Sequence, residues 1–172
     1  IVILSDHGQA FGEHGLYAVH GRCYDEDTRI ALIIRDPRLR RRRRTVRHIV
    51  QAIDVMPTVL ELLDLPIPAS AQGRSLGPLL WTGRDDGRDQ VAVSVSAGER
   101  AIRTPHWKLM STSEAPAVLY HVARDPQEQR NLIAKFPTIA AQLQWRLDQT
   151  ITAETAGPAV DLRQWLQEKG YW

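Results

Sequence analysis

Ile1-Val2-Ile3-Leu4-Ser5-Asp6-His7-Gly8 is the stretch whose reading decides the fold. Four consecutive apolar residues, three of them β-branched, read as a buried, parallel strand, because a strand covered on both faces loses polar alternation. The polar run that follows, Ser5 to Asp27 with Gly8, Gly12, Gly15 and Gly21, reads as a loop leaving the strand's C-terminal end. Open α/β sheets carry their sites at such ends. Ile1 is not an initiator methionine, and a natural chain rarely begins inside a core strand. The chain is therefore expected to be the C-terminal part of a longer protein.

Working outward, Ile30 to Ile34 reads as a second buried strand, ended by Pro37. Val46 to Ile49 is expected to be a short extended segment. Asp54 to Leu63 reads as a helix, with Asp54 as its cap and Pro57 tolerated in its first turn. Its apolar residues Val55, Met56, Val59, Leu60, Leu62 and Leu63 cover most of the circumference, which predicts a buried helix. Gln72 to Trp81 reads as a short, partly helical link. The polar stretch Thr82 to Gln90 marks a boundary. Beyond it, strands are expected at Val91 to Ser96, at Arg100 to Thr104 and Trp107 to Ser111 around Pro105, and at Val118 to Val122. Pro137 opens a helix to about Ile151, with Ile139, Leu143, Leu147 and Ile151 at a four-residue spacing. Leu162, Trp165 and Leu166 suggest a last short helix. Strands followed by a helix read as a small α+β unit.

At 172 residues the chain is long enough for one ordinary domain, or one domain with a small appendage. No apolar run approaches the roughly 20 residues that span a bilayer. A single cysteine excludes an intrachain disulfide, a cysteine-based zinc cluster and a CxxC redox pair. The net charge of +2 depends on six arginines between Arg38 and Arg44; without them the balance is −4. That run has no interleaved aromatic residue for base stacking, so a solvated connection is expected and a nucleic-acid partner is not.

Asp6 and His7 offer a carboxylate oxygen and an imidazole nitrogen, a common ligand pair for a divalent metal. Adjacent strand residues point to opposite faces, but past the strand end Gly8 lets the chain turn so that both reach one ion. The alternative is an ordinary loop acid and loop histidine. His20, in the same loop, suits a ligand, a proton donor or a cation near an anionic substrate. His14 reads as an exposed loop histidine, and His48, His106 and His121 read as structural or solvated. Cys23 reads as a small buried residue rather than a nucleophile. Arg22 and Arg29 suit either an anion or ion pairs with Asp25, Glu26 or Asp27.

In order along the chain, Ser5-Asp6-His7-Gly8, Phe11-Gly12-Glu13-His14-Gly15-Leu16, His20-Gly21, Tyr24-Asp25-Glu26 and Arg29-Ile30-Ala31-Leu32-Ile33-Ile34 closely resemble the second metal-ligand segment of sulfatases in the alkaline-phosphatase-like superfamily. Ala31 stands where the family has a proline. Asp54 to Leu62, Gly73-Arg74-Ser75-Leu76, Arg103 to Leu109, Leu119-Tyr120, Asp125 to Glu128 and Asn131-Leu132 extend the resemblance across nearly the whole chain. It implies an α/β fold: the C-terminal part of an alkaline-phosphatase-like α/β sandwich over residues 1–86, and a small α+β subdomain with an antiparallel sheet over residues 87–172. It also implies Asp6 and His7 as metal ligands and His20 as the catalytic, sulfate-contacting donor; Arg29, near His20 in the chain, is expected as a further substrate-binding residue that orients an anion. The expected cofactor is a divalent metal, with calcium favoured and manganese or zinc as alternatives. The expected substrate is a sulfate ester on a small molecule or glycan. A phosphonate monoester hydrolase or phosphodiesterase, or a non-catalytic module with a basic arginine patch, are the alternatives. Cys23-Tyr24-Asp25-Glu26-Asp27 does not fit the family's Cys/Ser-x-Pro-x-Arg context. No nucleophile is therefore expected in this chain, and the formylglycine is expected in the N-terminal part of the same protein.

Overall fold

The computed structural model describes residues 1–38, 45–83, 87, 90–96 and 98–155. Most of the arginine run, the expected boundary at residue 86 and the expected last helix lie outside the described residues.

The C-terminal half is built on one antiparallel sheet of four strands in sequential order: β5 (Ala92–Ser96), β6 (Glu99–Arg103), β7 (Lys108–Thr112) and β8 (Val118–Tyr120). Proline makes β6 and β7 a hairpin, because Pro105 cannot donate to a ladder and suits a turn. The turn is closed by the Thr104 amide donating to the Trp107 carbonyl at 2.8 Å and the Trp107 amide donating to Thr104 Oγ1 at 3.0 Å. Period-two alternation gives the sheet two apolar faces. Ile102, Leu109 and Leu119 form one cross-strand row and pack under Ala140, Leu143 and Leu147 of the helix α4 (Pro137–Thr155). The four-residue spacing predicted that helix face. Ala101, Met110 and Tyr120 line the other face and meet Cys23 and Tyr24, the end of the glycine-rich loop. The sheet thus anchors the loop.

The N-terminal half departs from the expectation. β1 (Val2–Leu4) pairs with β4 (Leu32–Ile34) in antiparallel register, Val2 opposite Ile34 and Leu4 opposite Leu32. A parallel pair needs a crossover of a dozen or more residues, usually a helix. Here the connection folds back as a hairpin, β2 (Ala10–Phe11) with β3 (Tyr17–Val19), and a single-turn helix α1 (Asp25–Thr28). Nor is the pair buried: Ile1, Ile3, Leu4 and Ile33 are exposed, Ile1 by 75%. Val46 to Ile49 forms no strand.

α2 (Val55–Leu62) forms where expected, with Pro57 in its first turn, but it is not buried all round. Pro57 and Thr58 are buried while Met56 and Leu63 are exposed. Asp54 does not cap the helix with its side chain. Its carboxylate accepts from the Gln51 amide at 3.0 Å and from the Arg74 amide at 2.8 Å, tying the link to the helix start. Thr58 completes that tie by accepting from the Leu76 amide at 2.8 Å, just before α3 (Gly77–Trp81). Among the described residues no helix is long and apolar enough to cross a membrane.

Candidate functional site

The site is built at the end of β1. Ser5 holds the strand end, its amide donating to the Ala31 carbonyl at 3.2 Å and its hydroxyl accepting from the Ala31 amide at 3.1 Å. Asp6 and His7 follow on an exposed surface. The His7 amide donates to Asp6 Oδ1 at 2.9 Å. That bond, then the Asp6 amide and the charge of His7, hold the Asp6 carboxyl below its ordinary range. Gly8 is needed here for space rather than for turning. Its amide donates to the Asp27 carbonyl at 2.8 Å, and a Cβ at Gly8 would stand 1.9 Å from the Glu26 carbonyl oxygen. Through Gly8, the Asp6–His7 pair is therefore held directly against the backbone of α1.

His7 Nδ1 donates to the Gly8 carbonyl at 2.6 Å. A backbone bond at one ring nitrogen fixes the tautomer and leaves the other free to ligate. The free nitrogen, Nε2, lies 3.8 Å from Asp6 Oδ2. Ligand distances of about 2.0–2.6 Å let two donors at that spacing reach one ion. The donor set thus fits a divalent metal from one side. Two donors are fewer than such an ion takes. Among the described residues no group of three or more His, Cys, Asp and Glu side chains could hold it. His20 stacks on His7 with ring centroids 4.3 Å apart and planes within 15°. The loop thus brings together all three residues that its sequence singled out, and leaves His20 beside the pair rather than within a three-ligand group.

Arg29 follows α1 and is exposed. It lines a cavity of about 390 Å³ with Glu13, His14, Asp25, Glu26 and Gln127, none of which belongs to the Asp6–His7–His20 group. Arg22 takes the ion-pair alternative with a partner outside those considered: its guanidinium lies 2.5 Å from Glu99 Oε1. Cys23 is fully buried, and its amide donates to Glu99 Oε2 at 2.8 Å. Burial, reinforced by the Glu99 charge, pushes its thiol up to about 11, which keeps it protonated and non-nucleophilic.

Behind the site lies a charged core that reading the chain missed. Lys108, 1% exposed, reaches Asp25 Oδ1 at 2.9 Å and Glu128 Oε1 at 2.8 Å. The Glu128 contact is an ion pair without hydrogen-bond alignment, whereas Lys108 donates to Asp25. Arg103 adds a bond to Asp25 at 3.2 Å, and the Asp25 amide donates to Glu128 Oε2 at 2.7 Å. Burial raises the Asp25 carboxyl, but Lys108 and Arg103 together outweigh it and hold it low. At Glu128 burial wins and the carboxyl sits above its ordinary range. The signal in the sequence was Lys108 between Trp107 and Leu109: a lysine inside an apolar strand needs a buried partner.

The fold is the one seen in solved sulfatases of the alkaline-phosphatase-like superfamily. The profile of the N-sulphoglucosamine sulphohydrolase C-terminal family matches residues 12–154, and the chain belongs to that family. It is 29% identical to the Delta 4,5-hexuronate-2-O-sulfatase of Bacteroides thetaiotaomicron, over 88% of this chain and 34% of the relative. The solved structure of a 2-O GAG sulfatase superposes with a TM-score of 0.80 at 28% identity, covering 90% of this chain and 36% of that one. The phosphonate monoester hydrolase of Agrobacterium radiobacter shares the fold, with a TM-score of 0.74 at 22% identity over 89% of this chain and 35% of that one. The chain spans about a third of the length of the curated relatives it matches.

Proposed function

We propose that this chain is the C-terminal portion of a sulfatase that hydrolyses sulfate esters at a divalent metal. Residues 1–86 would complete the catalytic α/β domain, and residues 87–172 form its C-terminal subdomain. The observation that carries this reading is the meeting of Asp6, His7 and His20 at one strand end, with His7 Nε2 directed at Asp6 Oδ2. The exposed apolar pair β1–β4 supports it, since Ile1, Ile3, Leu4 and Ile33 are suited to packing against further sheet.

The metal, with calcium favoured and manganese or zinc as alternatives, would lend positive charge to the oxygens of the transferring group. Asp6 and His7 would hold it from one side, with the Gly8 carbonyl orienting the His7 ring. His20 would donate a charge-assisted hydrogen bond to an anionic substrate oxygen. Arg29 remains a candidate substrate contact from the cavity beside α1. The nucleophile, a formylglycine by family resemblance, belongs to the N-terminal part of the same protein.

Sulfate release from an aryl sulfate, set against hydrolysis of a phosphonate monoester by the intact protein, tests the reaction class. Faster sulfate-ester turnover supports the proposal, and a clear preference for the phosphonate replaces it with the esterase alternative. The isolated 172-residue chain should turn over neither substrate, because nucleophile and metal act as a unit. Aryl-sulfate turnover by the isolated chain, lost on Asp6→Ala, would show that the catalytic set is complete without further residues.

A further inference from the structure

His14 sits at the tip of the β2–β3 hairpin, and its ring bridges to the C-terminal subdomain. Nδ1 lies 2.6 Å from Glu26 Oε1, and Nε2 lies 3.1 Å from the Glu128 carbonyl oxygen. An ionised carboxylate and a carbonyl only accept hydrogen bonds, so both ring nitrogens must donate to make both bonds. A neutral imidazole carries one N–H, so with Glu26 ionised it meets only one of the two acceptors, whereas the doubly protonated ring meets both. The ring also stacks on Tyr24, with centroids 3.7 Å apart and planes within 10°. The His14 and Glu26 side chains are each only 15% exposed.

The backbone marks the same contact. His14 and Glu128, 114 residues apart, both adopt left-handed conformations, with φ of 52° and 53°. Neither is a glycine, and such strain persists only where the surroundings over-determine it. Glu128 is itself fixed by the Asp25 amide and Lys108. Glu26 and the Glu128 carbonyl bond the His14 ring and Tyr24 stacks on it, while the charged groups sharing the cavity that His14 lines are Asp25 of α1, Glu13 on its own turn and Arg29 beyond α1. The hairpin carries His14 at its tip, while its open end leads to His7 on one side and His20 on the other, stacked 4.3 Å apart.

We propose that His14 is a positioning residue that works as a proton-dependent clasp. Doubly protonated, it locks the hairpin to α1 and to the 125–128 turn, and so fixes His20 against His7. When it loses the second proton, one of the two bonds is lost and the hairpin loosens. The effect on turnover rests on the reading of His20 as the sulfate-contacting donor; the clasp itself does not.

The test uses the intact protein and three readouts across pH: exchange of the His14 ring C2 proton by mass spectrometry, amide exchange over residues 12–16 corrected for the intrinsic rate, and kcat on an aryl sulfate. Amide protection should fall roughly 10- to 100-fold as His14 loses its proton, the scale of one hydrogen bond to a charged group. His14→Gln should show weakened protection with no step in pH. Glu26→Gln, which keeps an acceptor but drops the charge, should move the step to lower pH. Protection without a step in the wild type, or a step unmoved by Glu26→Gln, overturns the clasp. A kcat profile unchanged in shape by His14→Gln overturns the positioning role. If the exchange results hold but the wild type turns over no sulfate ester, the clasp stands and the sulfatase reading fails.

Discussion

Lys108→Met isolates the energetic weight of the buried charge cluster. Methionine fills a similar volume, so the change removes charge more than packing. Asp25 keeps Arg103 at 3.2 Å, but Glu128, whose side chain is fully buried, loses the Lys108 ammonium at 2.8 Å, its one cationic ion-pair partner among the described residues. Breaking a buried pair from one side costs about 3–5 kcal/mol, because the remaining charge stays uncompensated. The exposed pair Arg100–Asp148, with side chains 39% and 47% exposed, should be worth no more than about 1 kcal/mol by the same assay. Urea unfolding followed by tryptophan fluorescence measures both. The pH dependence has a definite sign. Glu128 already holds its proton more tightly folded than unfolded, because burial outweighs Lys108. Removing Lys108 raises it further, so the folded variant binds more protons than the unfolded chain. Its stability should then be greatest below the ordinary glutamate range and fall as pH rises through and above it. Adding Glu128→Gln should recover more than half of the loss and remove the pH dependence. A loss under about 1 kcal/mol, or one independent of pH, would refute the argument.

Gly8→Ala places a Cβ 1.9 Å from the Glu26 carbonyl oxygen, so backbone must move. Overpacking of this kind should destabilise by about 1–3 kcal/mol, read by urea unfolding, and weaken metal affinity because Asp6 and His7 shift with it. His20→Ala should lower sulfate-ester turnover by roughly 10²–10³-fold with metal content intact, and His20→Lys should restore part of it. Loss of the metal in His20→Ala would make His20 a ligand instead, and unchanged turnover would remove it from the site.

The C-terminal half was readable because its signals are local. The Pro105 hairpin and the four-residue spacing of α4 need only neighbouring residues, and the structure has β6, β7 and α4 within a few residues of the expected limits. The meeting of Asp6, His7 and His20 was also readable, since one short loop carries all three. Strand direction was not. An apolar run such as Ile1 to Leu4 fixes the tendency to be covered but not the partner, and β4 returns antiparallel with Ile3, Leu4 and Ile33 exposed. Burial of α2 failed for a related reason: apolar residues all round state what could be covered, while Met56 and Leu63 have no described neighbour that covers them. The Lys108–Asp25–Glu128 core and the His14 clasp lay beyond reach because each is closed by a long-range contact: Lys108 to Asp25 across 83 residues, Asp25 to Glu128 across 103, and His14 to Glu128 across 114. No periodicity joins residues at such separations. Gly8 was singled out for turning, whereas the fold needs it for the close approach of α1.

The central claim is that Asp6 and His7 are ligands of a catalytic metal, and metal stoichiometry measures it most directly. Elemental analysis of the intact wild-type protein and its Asp6→Ala variant, purified side by side, should give one divalent ion per wild-type chain. The variant should hold close to none and lose sulfate-ester turnover in parallel. An undiminished metal content in Asp6→Ala, or turnover that survives its loss, would contradict the assignment.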